Sequence, residues 1–276
     1  MAIAGNPVVE TYSRLAQEYD DEVNVRSCWG RAAERDLNAL VIKDQYKVVL
    51  DMGCGTARAL AQLACRSRAD IQWVGIDPAE NMRTLAIDRT SDLPNVRILD
   101  GCFESIPLES SSVDYLFSIF AFHWTTNLEA SVKEISRVLK PSGEMDLFFI
   151  GRNNGREFIQ ATSPLFLKHM GPALLLESAK MRKQLTRDAA FRLFSRTFDP
   201  PQVSVEESYQ TYYDTLEGHW GWWVRIEGHF MQIPRDKRRI CNEEVRHAIS
   251  SLEQADGIPY TLHQLHVQLR RDSVAT

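Results

Sequence analysis

The residues best suited to chemistry stand together in VLDMGCGT, residues 49–56. A short apolar run ends in an acid, Asp51, and then in Gly53, Cys54 and Gly55. Glycines directly after a strand let the backbone turn tightly and approach a ligand where no Cβ would fit. Asp77 closes the next apolar run, roughly 20 residues on, where an acidic side chain grips ribose hydroxyls in nucleotide-binding folds. Taken alone, G-x-G is equally a plain strand-to-helix turn. Asp77 at that spacing tips the reading toward a nucleoside-bearing ligand. A dinucleotide is the natural competitor, but its fingerprint needs a third small residue, and here that position is Arg58. Asp51 would also serve an anionic pyrophosphate poorly, whereas it suits a ligand with a cationic end.

The elements that must position these residues follow from periodicity. Strands are expected at residues 47–53, 71–77, 95–101, 113–120 and 144–151, with helices at 57–65, after Pro78 and at 127–140. Such alternation predicts a mostly parallel sheet covered on both faces. Upstream, residues 11–20 form an amphipathic helix with Tyr12, Leu15, Ala16 and Tyr19 on one face, and 29–41 form a second. Past Gly151 come helices at 156–170, 172–181 and 186–197, then an alternating strand, QVSVEESYQTYYD. A block rich in Trp, His and Arg spans 215–256. The final GIPYTLHQLHVQLRR reads as an edge strand, entered by a turn at Asp256, Gly257 and Pro259. The expected fold is α/β: a Rossmann-like, doubly wound, mostly parallel seven-stranded sheet with an antiparallel last strand and a helical lid. Residues 1–46 would be covering helices, 47–213 with 257–271 the core, and 214–256 the lid.

Composition narrows the function. The 276 residues carry a formal net charge of -5, and the sequence pI is about 5.8. That balance argues against nucleic acid as the main partner, because phosphate binding favours a basic surface. The N-terminus lacks the basic start and apolar core of a signal peptide, and no apolar run approaches the roughly 20 residues that span a bilayer. The five cysteines, Cys28, Cys54, Cys65, Cys102 and Cys241, include no C-x-x-C pair. They fit free thiols in a reducing compartment, so the expectation is a soluble cytoplasmic protein without a structural metal.

The motifs resemble those of the class I S-adenosylmethionine (SAM)-dependent methyltransferases. The likeness is to the group containing the malonyl-carrier-protein carboxyl methyltransferases and the ubiquinone/menaquinone C-methyltransferases. LDMGCGTA is similar to the family's first motif and GIDPAENM to its second. The stretch DGCFESIPLESSSVDYLFSIFAFHW is similar to its adenine loop and fourth strand, and EISRVLKPSGEM to the following helix, turn and strand. TYSRLAQEYD resembles the family's opening, where an aromatic residue helps to cover SAM. The likeness is strongest over residues 11–151 and returns in the last strand. It implies SAM as cofactor, held by Asp51, Gly53, Cys54, Gly55, Asp77, Pro78 and Met82. Gly101, Cys102, Phe103, Ser118, Phe120 and His123 would complete that site, with Tyr12 and Tyr19 closing over it. Where the family usually has an aspartate for the adenine amino group, this chain has Cys102. Adenine would then rest on the Phe103 backbone amide and apolar packing.

Specificity must come from elsewhere. His123 has the residue type of a general base and Trp124 beside it is a candidate acceptor-binding residue; the pair reads slightly more readily as packed aromatics supporting the SAM pocket. In GHWGWWVRIEGHF, residues 218–230, Trp220, Trp222 and Trp223 with Arg225 are candidate acceptor-binding residues and His219 a second candidate base. Some of that block must instead be the lid's own core. Arg152, with Asn153, Asn154 and Arg156 after the fifth strand, is placed to hold a carboxylate or phosphate, or simply to cap a loop. RDKRR, residues 235–239, reads first as a solvated helix face. His263 and His266 fall on opposite faces of one strand, which separates them as metal ligands. The expected activity is methyl transfer to O, N or C of a small metabolite with apolar bulk. Carboxyl methylation of a carrier-bound acyl chain is the rival reading, and a non-catalytic SAM-binding subunit the alternative of a different class.

Overall fold

The protein is described by a computed structural model over residues 6–20, 22–223 and 231–271. It opens with α1 (Pro7–Arg14), α2 (Ala16–Tyr19), α3 (Glu22–Arg26) and α4 (Cys28–Ala39). Asn6 caps α1 by accepting from the Val8 N–H at 2.9 Å, and Pro7 takes the first turn, where its missing N–H costs nothing. The single helix expected over 11–20 is broken at Leu15, whose ψ of 12° leaves the helical range. Consequently Tyr12 and Tyr19 come from two short helices that meet edge to face, ring centroids 5.7 Å apart.

Strands β1 (Val48–Met52), β2 (Gln72–Asp77), β3 (Val96–Asp100), β4 (Val113–Ile119) and β5 (Leu139–Ile150) run parallel. With β6 (Val203–Asp214) and β7 (Ile258–Leu269) they form a seven-stranded sheet in the order β3-β2-β1-β4-β5-β7-β6. β7 is antiparallel to both of its neighbours. This is the expected Rossmann-like sheet. On one face α4, α5 (Arg58–Arg66) and α6 (Glu80–Arg89) press Leu37, Leu60, Leu63 and Ala86 onto Val49, Trp73 and Phe117. On the other, α7 (Leu128–Val138) sets Val132 and Ile135 against Leu50, Leu116 and Phe149. Burial on both faces is why the central strands read as continuous apolar runs.

One expectation is overturned. β7 is an interior strand, and β6, with most of its residues exposed, forms the edge. The polar residues of β7 misdirect a reading based on hydropathy because they are buried or half-buried themselves and find polar partners on neighbouring elements. Gln264 donates to Asp36, His263 pairs with Glu207 at 2.8 Å, and His266 pairs with Asp146 at 2.6 Å.

Above the carboxyl ends of the strands lie α8 (Arg156–Lys180), α9 (Arg187–Phe194), α10 (Leu216–Trp222) and α11 (Arg238–Ser250), α9 reaching down the face that α7 covers. The two helices expected at 156–170 and 172–181 are joined through a kink at Gly171 (φ 76°, ψ 168°). Pro172 causes it, since a residue before proline is pushed out of the helical region and glycine tolerates positive φ. Residues of α1, α4, α8, α10, α11 and β7 share one apolar cluster. The cover over the sheet is thus built jointly by the N-terminal helices, α8 and the aromatic block.

Candidate active site

β1 carries Asp51 to its carboxyl end, and the chain turns through Gly53 (φ 72°) and Gly55 (φ 54°) into α5. The Gly53 and Cys54 N–H groups donate to the Ile76 carbonyl at 2.8 and 3.1 Å, tying the loop to β2. A Cβ on Gly53 would stand 2.2 Å from the Ala121 Cβ, so this glycine is required by packing inside the protein. At Gly55 a Cβ would meet nothing within 4 Å. Gly55 is the glycine that opens onto a cleft.

That cleft has two adjoining lobes, of about 860 and 1580 Å³, which share Tyr19, Gly53, Gly55, Ile119 and Phe120. The first is also lined by Tyr12, Asp77, Pro78, Met82, Cys102, Phe103 and Trp124. Asp51 and Cys54 line the second, together with Trp29 and Asp20. Asp77 accepts hydrogen bonds from the Ala79 and Gly55 N–H groups at 2.8 and 3.0 Å. Burial nevertheless pushes its carboxyl up to about 6, against the pull of those two N–H groups. Burial, and then the charge of Asp77, raises Asp51 well above the carboxylate range. Tyr19 is likewise pushed up to about 12 by burial and by the charges of Asp77 and Asp20. Two desolvated acids facing one cavity make a site that a cation would relieve.

Phe120, on the shared wall, holds the left-handed conformation (φ 57°) at the end of β4, while its N–H donates to the Phe148 carbonyl at 2.8 Å. Backbone strain of this kind, roughly 1–2 kcal/mol, tends to be kept at functional sites. Nearby, Cys102 and Ser105 exchange backbone hydrogen bonds, turning Phe103 and Glu104 out as a loop. Glu104 accepts from the Thr125 hydroxyl at 2.6 Å and the Asn127 N–H at 2.9 Å. Burial would raise its carboxyl, but these bonds hold it below its usual value.

A second cavity, about 920 Å³, lies under the helical cover. Phe158, Phe166, Trp222, Trp223 and Tyr260 supply its aromatic walls, with Asn154, Gln184 and Arg182 among the polar lining groups. It adjoins the cleft at two places. The Trp29 ring sits 5.6 Å from Phe120 and 5.7 Å from Trp222, and the Arg182 guanidinium lies 4.9 Å over the ring of Trp124.

Other sequence candidates fall elsewhere. Gly101 faces Pro107 and Ile76, so it is small because of packing. Ser118 is fully buried and lines neither cavity. His123 is 3% exposed, its Nδ1 has no hydrogen-bond partner among the described residues, and burial and Arg182 push its pKa well below 6.5. His219 is inside the cover, with Nε2 2.8 Å from the Ile258 carbonyl and its ring against Phe158. Arg152 is exposed and outside both cavities, and Trp220 lies under Arg246. Arg225 lies outside the described residues. Trp29, Phe158, Phe166, Arg182 and Tyr260 line the site without having been singled out in sequence, because each comes from a different segment with no motif of its own. Among the described residues no three His, Cys, Asp or Glu side chains could hold a metal, and no helix is long and apolar enough to cross a membrane.

Comparison with known proteins points to the same class as the motifs. Residues 50–146 match the methyltransferase domain family. The chain resembles the SAM-dependent methyltransferases. The chain is 27% identical over 203 residues to the malonyl-[acyl-carrier protein] O-methyltransferase of Marinomonas sp. (strain MWYL1), covering 72% of this chain and 73% of the relative. It is 24% identical over 176 residues to a ubiquinone/menaquinone biosynthesis C-methyltransferase of Campylobacter jejuni, covering 60% and 73%. The YcgJ protein of Bacillus subtilis shares its fold, with a TM-score of 0.59 at 17% identity over 88% of this chain and 100% of that one. The residues of the cleft fit SAM: the space above Gly55 admits a ligand, Asp77 can accept from ribose hydroxyls, and Asp51 can balance a cationic end.

Proposed function

We propose that the two-lobed cleft binds SAM and that the second cavity receives a small acceptor with apolar bulk. The observation that carries this reading is the pair of buried acids, Asp51 and Asp77, facing a cleft that Gly55 leaves open. SAM supplies a methyl group already activated on a sulfonium, so the protein's task is alignment and exclusion of water. Asp77 holds the ribose and Asp51 draws the cationic methionine end. Tyr12, Tyr19 and Trp124 cover the first lobe, stacked edge to face at 5.7 and 5.9 Å. The acceptor approaches across the aromatic wall formed by Trp29, Phe120 and Trp124. His123 and His219, buried and held neutral, support this wall and the cover and face neither cavity.

The test is transfer of labelled methyl from SAM into a metabolite extract, with Asp77→Ala as control. Loss of hydrogen bonds from a charged acceptor should weaken SAM binding at least about tenfold in calorimetry. Unchanged affinity would refute the assignment of the cleft. A methylated product that is protein-bound rather than small would instead favour the carrier-linked acceptor named in the Marinomonas relative.

A further inference from the structure

The second cavity is apolar in its walls and rich in hydrogen-bond donors. Arg182 is the one charged residue among its described lining groups. Trp223 lines it, is 4% exposed, and has a buried Nε1 with no hydrogen-bond partner among the described residues. Trp29, on the wall toward the cleft and in ring contact with Trp222 and Tyr260, also has a buried Nε1 without a hydrogen-bond partner among the described residues. An indole N–H only donates, and a buried donor is costly until something accepts from it. Phe166 stacks on Trp223 at 5.5 Å, which gives this corner flat aromatic surfaces.

We infer that the cavity selects acceptors bearing an anionic oxygen group on a flat apolar body. Arg182 attracts the charge, and the Trp223 N–H donates to the oxygen. Trp29 is the second such donor, at the wall toward the methyl source. An acceptor of this kind is already a nucleophile at neutral pH, which agrees with a buried, neutral His123 that faces neither cavity. This inference rests on reading the second cavity as the acceptor site.

The test is binding, not turnover. The full chain is first saturated with S-adenosylhomocysteine, and that binding is itself measured by calorimetry. Biphenyl-4-carboxylate and 4-phenylbenzylamine, matched in shape and opposite in charge, are then titrated while the indole N–H signals of the six tryptophans are followed by nitrogen-15 NMR. The carboxylate should bind at least about tenfold more tightly than the amine, with the Trp223 signal, assigned through Trp223→Phe, moving downfield. Arg182→Gln should erase the preference, and Trp223→Phe, which keeps the apolar wall, should weaken the carboxylate by roughly tenfold. Equal or tighter binding of the amine, binding of neither probe, or an unmoved Trp223 signal would overturn the inference. Failure of S-adenosylhomocysteine to bind in the first step would remove the cofactor assignment, and this inference with it.

Discussion

Gly53 and Gly55 look interchangeable in the sequence, yet they do different work. An alanine at Gly53 would press its Cβ on Ala121 and would also strain a positive φ, whereas at Gly55 it would enter open space. Gly53→Ala should therefore cost more than the roughly 1–2 kcal/mol of left-handed strain alone and lower the melting temperature. Gly55→Ala should cost about that strain alone and reduce SAM affinity; the reverse pattern in calorimetry and thermal melts would contradict the geometry. Asp77 sets a pH dependence. With its carboxyl pushed up to about 6 in the ligand-free chain, it gains a proton as pH falls through that value and stops accepting from ribose. SAM affinity should then drop about tenfold between pH 7.5 and pH 5, and Asp77→Asn should flatten that fall. In the ligand-free chain the sign for stability is opposite. A raised carboxyl contributes stability below its unfolded value near 3.8 and loses it as pH rises through about 6.

At the scale of elements, the helices that cover the cleft are tied down at both ends. Asn81 of α6 donates to Ser13 through its backbone N–H at 3.1 Å and its side chain at 2.9 Å. Past α2, Asp20 accepts from the Thr56 hydroxyl at 3.2 Å and pairs with Arg89, which also donates to the Thr56 carbonyl and hydroxyl at 2.7 Å. Thr56 belongs to the glycine loop, so this latch joins the cover to the turn that faces the cleft. Arg89→Ala should open it and speed release of S-adenosylhomocysteine several-fold in stopped-flow fluorescence. The melting temperature should move little, because a partly exposed pair contributes on the order of 1 kcal/mol or less. An unchanged release rate would mean that α1 and α2 do not gate the cleft.

Across the whole molecule, the sheet is sealed by a buried polar network as well as by apolar packing. Asp146 on β5 accepts from the Tyr115 hydroxyl at 2.6 Å and the Arg270 guanidinium at 2.7 Å, and pairs with His266 at 2.6 Å. Removing it leaves those donors unmet, so Asp146→Ala should cost about 3–5 kcal/mol in denaturant melts. A loss below about 1 kcal/mol would show that water replaces it. This network is also why β7, rightly expected as an antiparallel strand, read as the edge: histidines and glutamines signal exposure until partners from β5, β6 and α4 are brought beside them. The parallel strands, the glycine loop and Asp77 were legible because their signals are local, each contained in one strand–turn–helix unit where spacing alone dictates geometry. The second cavity was less so. Trp222 and Trp223 were candidates, but Phe158, Arg182 and Tyr260 come from three other stretches, and whether an aromatic or histidine faces a cavity or the core depends on helix packing that no local pattern encodes. The sequence by itself determined the parallel core and put Asp51 and Asp77 at the carboxyl ends of adjacent strands. Tertiary packing alone turned His219 inward, left room for a Cβ at Gly55 and not at Gly53, and shaped the second cavity.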